Sequence, residues 1–400
     1  MDHMGISSIF DINEATQAEA RVIKLLSQRS GLSAAEISRL TGLSKSTVAR
    51  VVEQLRQNGL VVETVRHGES ASKRGRPGTI LTLNPATGTC VGLLLGPTFI
   101  DLTIADVSHA VLLERTIEIE QDYSVEKGLA AVVDLVENAY EETGLARDRL
   151  LGVGVAVPGP VDFHTGRVLR SSMVPVWAGT DVRALFASAL QTSVFVDNES
   201  NCAAIAEMTW GAARGHSEFL YCKLDVGIGG ALIVNNQILR GIAGAAGEVG
   251  HMIFDPNGPL CRCGNRGCVE LYAGWNAVIE PAKGRFGPNV RFHTIAEHAI
   301  NGDVGCRRLI EDVALVAGRA LASVCAVLNP PLIVLGGRQL QAEDILLAPL
   351  RESFARHALI KPYEIDTPSM TQIVPGHFRN NRDTALGAVG LVLQNSGQLL

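Results

Sequence analysis

Apolar residues recur at helical spacing in the first sixty positions and at strand spacing soon after. Ala18, Val22, Leu25 and Leu26 predict a helix over 15–28, closed by Gly31. Ser33-Ala-Ala-Glu36 reads as a capping box that opens a second helix, with Ile37 and Leu40 facing inward and Gly42 as its stop. Ser44 caps a third helix whose buried stripe is Val48, Val51, Val52 and Leu55, ended by Gly59. Two short helices divided by a Thr-Gly-Leu-Ser turn match a helix-turn-helix. Leu60–Arg66 and Thr79–Leu83 then read as two strands around a polar loop, the wing of a winged helix.

Beyond Pro85-Ala-Thr-Gly, a domain boundary, the pattern changes to a mixed α/β body. Cys90–Leu95, Phe99–Asp106 and Ala110–Ile119 are three adjacent strand-like runs; Ser124 caps an amphipathic helix to Thr143, and Leu150–Val157 is a fourth run ending in Pro-Gly-Pro. Phe219–Leu224, Gly230–Val234 and Ile238–Arg240 form a second meander, followed by an apolar helix over Ala314–Leu328 and a buried strand, Leu332–Leu335, closed by Gly336-Gly337. Two halves that each open with a meander suggest an internal duplication.

The polar face of the third helix carries Lys45, Ser46, Thr47, Arg50 and Gln54. Short donors near a helix start, with an arginine one turn on, suit base edges and phosphates in a major groove. The wing loop holds Lys73-Arg74-Gly75-Arg76-Pro77. Arg74 and Arg76 on an extended segment fit a narrow minor groove, and a charged Gly/Pro linker is the plainer alternative. Charge agrees in sign: residues 1–80 hold 11 Lys and Arg against 8 Asp and Glu, and the rest 24 against 33. The expected domains are therefore a DNA-binding head over 14–84 and a body over 85–400.

The densest chemistry lies between Gly244 and Glu270. His251, Cys261, Cys263 and Cys268 form a Cys₃His set, a closed tetrahedral zinc arrangement with no open position, so a structural ion is expected. Gly264 and Gly267 supply the positive φ that so tight a loop needs. The alternative is three buried or disulfide-bonded cysteines near an unrelated histidine. The other five of the eight cysteines lie in apolar surroundings, which suits small core residues in a reducing cytoplasm. No apolar run reaches the length of a membrane span, and the first residues lack the apolar stretch of a signal peptide. Glu248 and Glu270 flank the cluster; carboxylates fixed there suit sugar hydroxyls, and solvated surface acids are the default alternative.

Gly-Glu-Val-Gly-His followed by Cys-x-Cys-Gly-x-x-Gly-Cys-x-Glu resembles the signature of the ROK family (repressors, open reading frames and kinases). The resemblance implies a two-lobed, duplicated actin-like (ribonuclease H-like) body. It assigns zinc to His251, Cys261, Cys263 and Cys268, and sugar contacts to Glu248, His251 and Glu270. Asn198 and Glu199 match the Asn-Asp of the family's kinases, in which the Asn binds sugar and the Asp is the catalytic base. For Asn198 the alternative is a helix cap. Trp177 lies where the family carries an aromatic, and reads as cleft or core, core being the plainer reading.

The kinase phosphate loops are altered. Asp-x-Gly-Gly-Thr-Lys is replaced by the stretch Gly92 to Thr98, and Gly-Thr-Gly-x-Gly-Gly by Asp225-Val-Gly-Ile-Gly-Gly230. An acid there repels phosphate, Pro97 removes a donor, and a base one methylene longer is misplaced for catalysis. The expectation is a cytoplasmic, zinc-holding, sugar-responsive repressor that is not an enzyme. Its partners would be operator DNA, a sugar or sugar derivative, and its own copies as homodimer or homotetramer. Sugar binding would shift lobe closure and the spacing of the heads. A sugar kinase with a DNA-binding head and a regulator controlled by a protein partner are the alternatives.

Overall fold

The computed structural model describes residues 17–29, 31–65, 79–359, 370–378 and 382–395. The chain divides into two compact units, one holding residues up to Val157, Asp162–Asp197 and Ala385 onward, the other holding Pro158–Val161 and Asn198–Thr384.

The first unit begins with helices α1 (Gln17–Gln28), α2 (Ala34–Thr41) and α3 (Lys45–Gln57), then strands β1 (Val61–Val65) and β2 (Thr79–Leu83), paired antiparallel. The expected caps are made. Ser33 Oγ accepts from the Glu36 amide while Glu36 reaches back to the Ser33 amide, and Ser44 Oγ accepts from the Thr47 amide. Gly42 closes α2 in the left-handed conformation, with φ 72°. Val22, Leu26, Ile37, Val48, Val51 and Leu55 are buried together with Ile23. Leu40 differs from expectation and is 41% exposed. In so short a helix only Ile37 lies centrally on the face that meets its neighbours.

The same unit holds β3 (Thr89–Leu95), β4 (Phe99–Asp106), β5 (Val111–Glu118), helix α4 (Val125–Thr143) and β6 (Leu150–Val157). Two short strands, β7 (Val161–Asp162) and β8 (Arg167–Val168), precede helix α5 (Val182–Leu190) and strand β9 (Val194–Asn198). The sheet order is β5-β4-β3-β6-β9, with β3–β4–β5 an antiparallel meander and β6 parallel to β3. Every residue of β3 and β6 is buried, as a strand covered on both faces requires. At Gly92 and Gly154 a Cβ would lie 2.0 and 1.9 Å from the carbonyl oxygens of Ala385 and Ala388, so the helix above, α12 (Arg382–Asn395), rests on bare backbone. Trp177 is fully buried and donates from Nε1 to the Tyr123 hydroxyl at 2.9 Å, which makes it core.

The second unit opens with helix α6 (Glu199–Thr209), then β10 (Phe219–Leu224), β11 (Ile228–Val234) and β12 (Gln237–Ile238). Helices α7 (Val269–Ala273), α8 (Trp275–Phe286), α9 (Phe292–Ile300) and α10 (Val304–Leu328) follow, then β13 (Leu332–Gly336), α11 (Glu343–His357) and β14 (Gln372–Pro375). The sheet order is β12-β11-β10-β13-β14, with β13 parallel to β10. Each sheet is thus a three-stranded antiparallel meander continued by two further strands on its first member, and the duplication is visible in topology. Helix α10 starts ten residues before the expected Ala314, because Asp303 caps it at the Cys306 amide. Among the described residues no helix is long and apolar enough to cross a membrane.

Candidate functional site

The cysteine loop belongs to the second unit. A 3-10 turn over Val249–His251 delivers His251, and the Leu260–Arg266 bridge delivers Cys261. The Cys261 amide donates to the Asn265 carbonyl at 2.7 Å, and the Gly264 amide donates to the Cys261 carbonyl at 2.9 Å. Gly264 and Gly267 have φ of 98° and 62°. At Gly267 a Cβ would sit 1.5 Å from the Asp255 carbonyl oxygen, so no other residue fits.

His251, Cys261, Cys263 and Cys268 present four ligand atoms within 4.8 Å of one another. Cys261 Sγ lies 3.7 Å from His251 Nδ1, and Cys263 Sγ lies 3.6 Å from Cys268 Sγ. A tetrahedral zinc, about 2.3 Å from sulfur and about 2.0 Å from nitrogen, spaces neighbouring ligands by about 3.5–3.8 Å. The donor set fits that ion, and both of these separations match its ligand spacing, with Nδ1 the ring nitrogen that faces Cys261. His251 Nε2 faces Glu248 Oε2 at 3.8 Å, on the side away from the sulfurs.

The acids named from the sequence gather in the same unit. Glu270, in the first turn of α7, is buried and accepts from the Ile228 amide and from the Arg262 guanidinium. Burial raises the Glu248 carboxyl above its usual range, and the charges of Glu199 and Glu270 raise it further. Asn198 caps α6: its Oδ1 accepts from the Ser200 and Asn201 amides, while its Nδ2 donates to the Gly159 carbonyl at 2.9 Å. Glu199 Oε2 accepts from Lys223 Nζ at 2.8 Å.

Lys223 and Arg262 were not singled out by sequence reasoning. Lys223 stands in a wholly buried strand and is 4% exposed. Burial pulls its ammonium down, but Glu199, Asp225 and Asp383 together hold it above its ordinary value. A lysine within the apolar run Phe219–Leu224 was the available signal, because such a residue needs a buried acid nearby. Asp225 is engaged too. Arg338 donates to both its oxygens, at 2.8–3.1 Å, and the guanidinium carbon lies 4.3 Å from the Trp275 ring centroid. Burial alone would raise the Asp225 carboxyl, yet Lys223 and Arg338 hold it below its usual value.

In the head, Lys45, Ser46, Arg50 and Gln54 are exposed on one side of α3, and Thr47 is half-buried with its hydroxyl 2.8 Å from Ser44 Oγ. Arg74 and Arg76 lie outside the described residues.

Residues 20–64 match the IclR helix-turn-helix domain. The chain is 28% identical over 377 residues to the xylose repressor of Bacillus spizizenii, covering 94% of each sequence. A ROK family transcriptional regulator, a homologue of E. coli Mlc, superposes with a TM-score of 0.77 at 24% identity, over 95% of this chain and 96% of that one. A ROK family glucokinase from Streptomyces griseus, solved with glucose and AMPPNP, superposes with a TM-score of 0.65 at 26% identity, over 76% of this chain and 98% of that one. The ROK family model itself matches residues 90–395, and the chain belongs to the ROK family.

Proposed function

We propose that this protein is a sugar-responsive DNA-binding transcriptional repressor. Residues 14–84 would hold operator DNA, and residues 85–400 would bind a sugar and associate with a second copy. The observation that carries this reading is the union in one chain of a helix-turn-helix head with a ROK body, and internal hydrogen bonds at the positions matched to the kinase machinery support it. Glu199, at the position of the kinase base, is held by Lys223. Asp225, in the second phosphate loop, is held by Arg338. The Gly96 amide, in the altered first loop, is spent on the Phe99 carbonyl at 2.9 Å. A carboxylate already engaged by an ammonium is not free to meet a substrate hydroxyl as a base must, and a phosphate loop carrying a carboxylate repels a nucleotide.

The same residues suit recognition without turnover. Glu199, Glu248 and Glu270 present acceptors for hydroxyl groups, and Asn198, His251 and Lys223 stand beside them. Sugar hydroxyls both donate and accept, which such a mixed set satisfies. Zinc held by His251, Cys261, Cys263 and Cys268 would fix the loop that carries Glu248 and Glu270, a structural role. On DNA, Arg50 and Gln54 would read base edges, Lys45, Ser46 and Thr47 would meet the backbone or nearby edges, and Arg74 and Arg76 would enter the flanking minor groove. Two copies would place two α3 helices about one helical turn apart on a palindromic site. This assembly belongs in the cytoplasm with the genome.

The reading is tested by two measurements on one preparation. Selection from genomic fragments should recover a palindromic duplex, and a coupled ADP-release assay over a panel of sugars should show no turnover. Sugar-dependent ADP release would make the chain a kinase.

A further inference from the structure

We propose that His109 is the fastener that ties the DNA-binding head to the sheet of the body in the same unit. His109 sits in the connection between β4 and β5, is buried, and reaches from the body into the head. Its Nε2 lies 3.0 Å from the carbonyl oxygen of Ser27, in the last turn of α1. A carbonyl only accepts, so Nε2 carries the proton. The final carbonyls of a helix have no partner within it and carry the negative end of its dipole. An imidazole N–H from another element is a suitable cap for one of them.

The backbone is arranged for this reach. His109 has φ 78°, a left-handed conformation that glycine adopts without cost. The turn that holds it is fixed. Asp106 Oδ1 accepts from the Ser108 amide at 2.8 Å, the Ser108 hydroxyl at 2.7 Å and the Ala110 amide at 3.1 Å. The Asp106 carbonyl accepts from the His109 amide at 3.0 Å, and the Val107 amide donates to the Gly88 carbonyl at 3.1 Å. A non-glycine residue held in this conformation on so tightly bonded a turn accords with a use for its side chain.

The consequence lies in the path beyond Ser27. Helix α1 packs on α3, the helix that carries Arg50. With His109 in place, the β4–β5 turn and the recognition helix move as one body, so a displacement of the sheet is passed to the DNA-reading face. His109 is thus a positioning residue for DNA binding and touches no ligand itself.

The test is nitrogen relaxation by NMR on the full chain. In the wild type, histidine labelling should show His109 Nε2 protonated and slow to exchange; a bare Nε2 overturns the proposal. His109→Gly keeps the left-handed backbone and removes the ring. Head amides, residues 17–57, should then tumble with a correlation time shorter than the sheet amides by about two-fold or more, whereas in the wild type the two agree. His109→Asn, which tolerates the same φ and is too short to reach Ser27, should behave like the glycine variant. Equal tumbling of head and sheet in both variants, even with a lowered melting temperature, would mean that the contact only satisfies a carbonyl, and the proposal fails.

Discussion

Lys223 Nζ lies 2.8 Å from Glu199 Oε2, and Lys223 is almost wholly buried. On the proposed reading, this ammonium occupies the carboxylate that a kinase would need free as its base. It holds Glu199 by a hydrogen bond, and it also lies within the field of Asp225 and Asp383. Removing one member of such a pair leaves an uncompensated charge in a region short of water.

Lys223→Met should therefore destabilise the protein by about 3 kcal/mol, because breaking a buried pair costs more than the pair contributes. The urea midpoint should fall while the dependence on urea stays the same. An unchanged midpoint would show that solvent reaches Glu199 freely.

The Asp225–Arg338 contact has an acid limit. Asp225 ionises below the usual aspartate value in the folded chain, so the unfolded chain binds the proton more readily. The resulting stabilisation is complete above the unfolded value of about 3.9 and is lost as the pH falls below it, through the folded value. Wild type and Asp225→Asn should differ in urea stability at pH 6, and the difference should shrink as the pH is lowered toward 3. A constant difference would place the stabilisation elsewhere.

Arg50→Ala should weaken binding to the selected operator by about ten-fold to a hundred-fold, the value of a bidentate base contact. Binding to random duplex should change much less. Equal losses on both DNAs would make Arg50 a phosphate contact, and no loss on either would misplace the recognition helix.

Mutating Arg74 and Arg76 together should weaken binding most on A·T-rich flanks, where the minor groove is narrow. The same loss on every flank, with a salt slope reduced by about two, would reduce them to backbone contacts.

Cys263→Ser should release the metal and loosen the loop that holds Glu248 and Glu270. Elemental analysis should find one zinc per chain in the wild type and none in the variant. A variant that keeps its zinc would show that Cys263 is no ligand.

What the sequence disclosed divides along physical lines. Ser33, Ser44 and Ser124 cap helices at the expected positions, since a cap is a contact between residues two or three apart. The Cys-x-Cys-Gly-x-x-Gly-Cys cluster was legible for the same reason, with all its candidate ligands but His251 within eight positions. Lys223, Arg338 and His109 were not, because their partners are brought to them by sheet order and loop packing. His109 meets a residue 82 positions away, and Arg338 one 113 away. Leu40 shows the opposite failure: its spacing suited a buried face, but no neighbouring element covers it.

The central claim is that one chain couples sugar binding to DNA binding, and fluorescence anisotropy tests it most directly. The DNA upstream of the protein's own gene, labelled and held at fixed salt, is titrated with protein in the presence of each of a panel of sugars and sugar phosphates. The account predicts specific binding whose affinity one compound changes by five-fold or more, a coupling of about 1 kcal/mol. Specific binding that no sugar alters would contradict it.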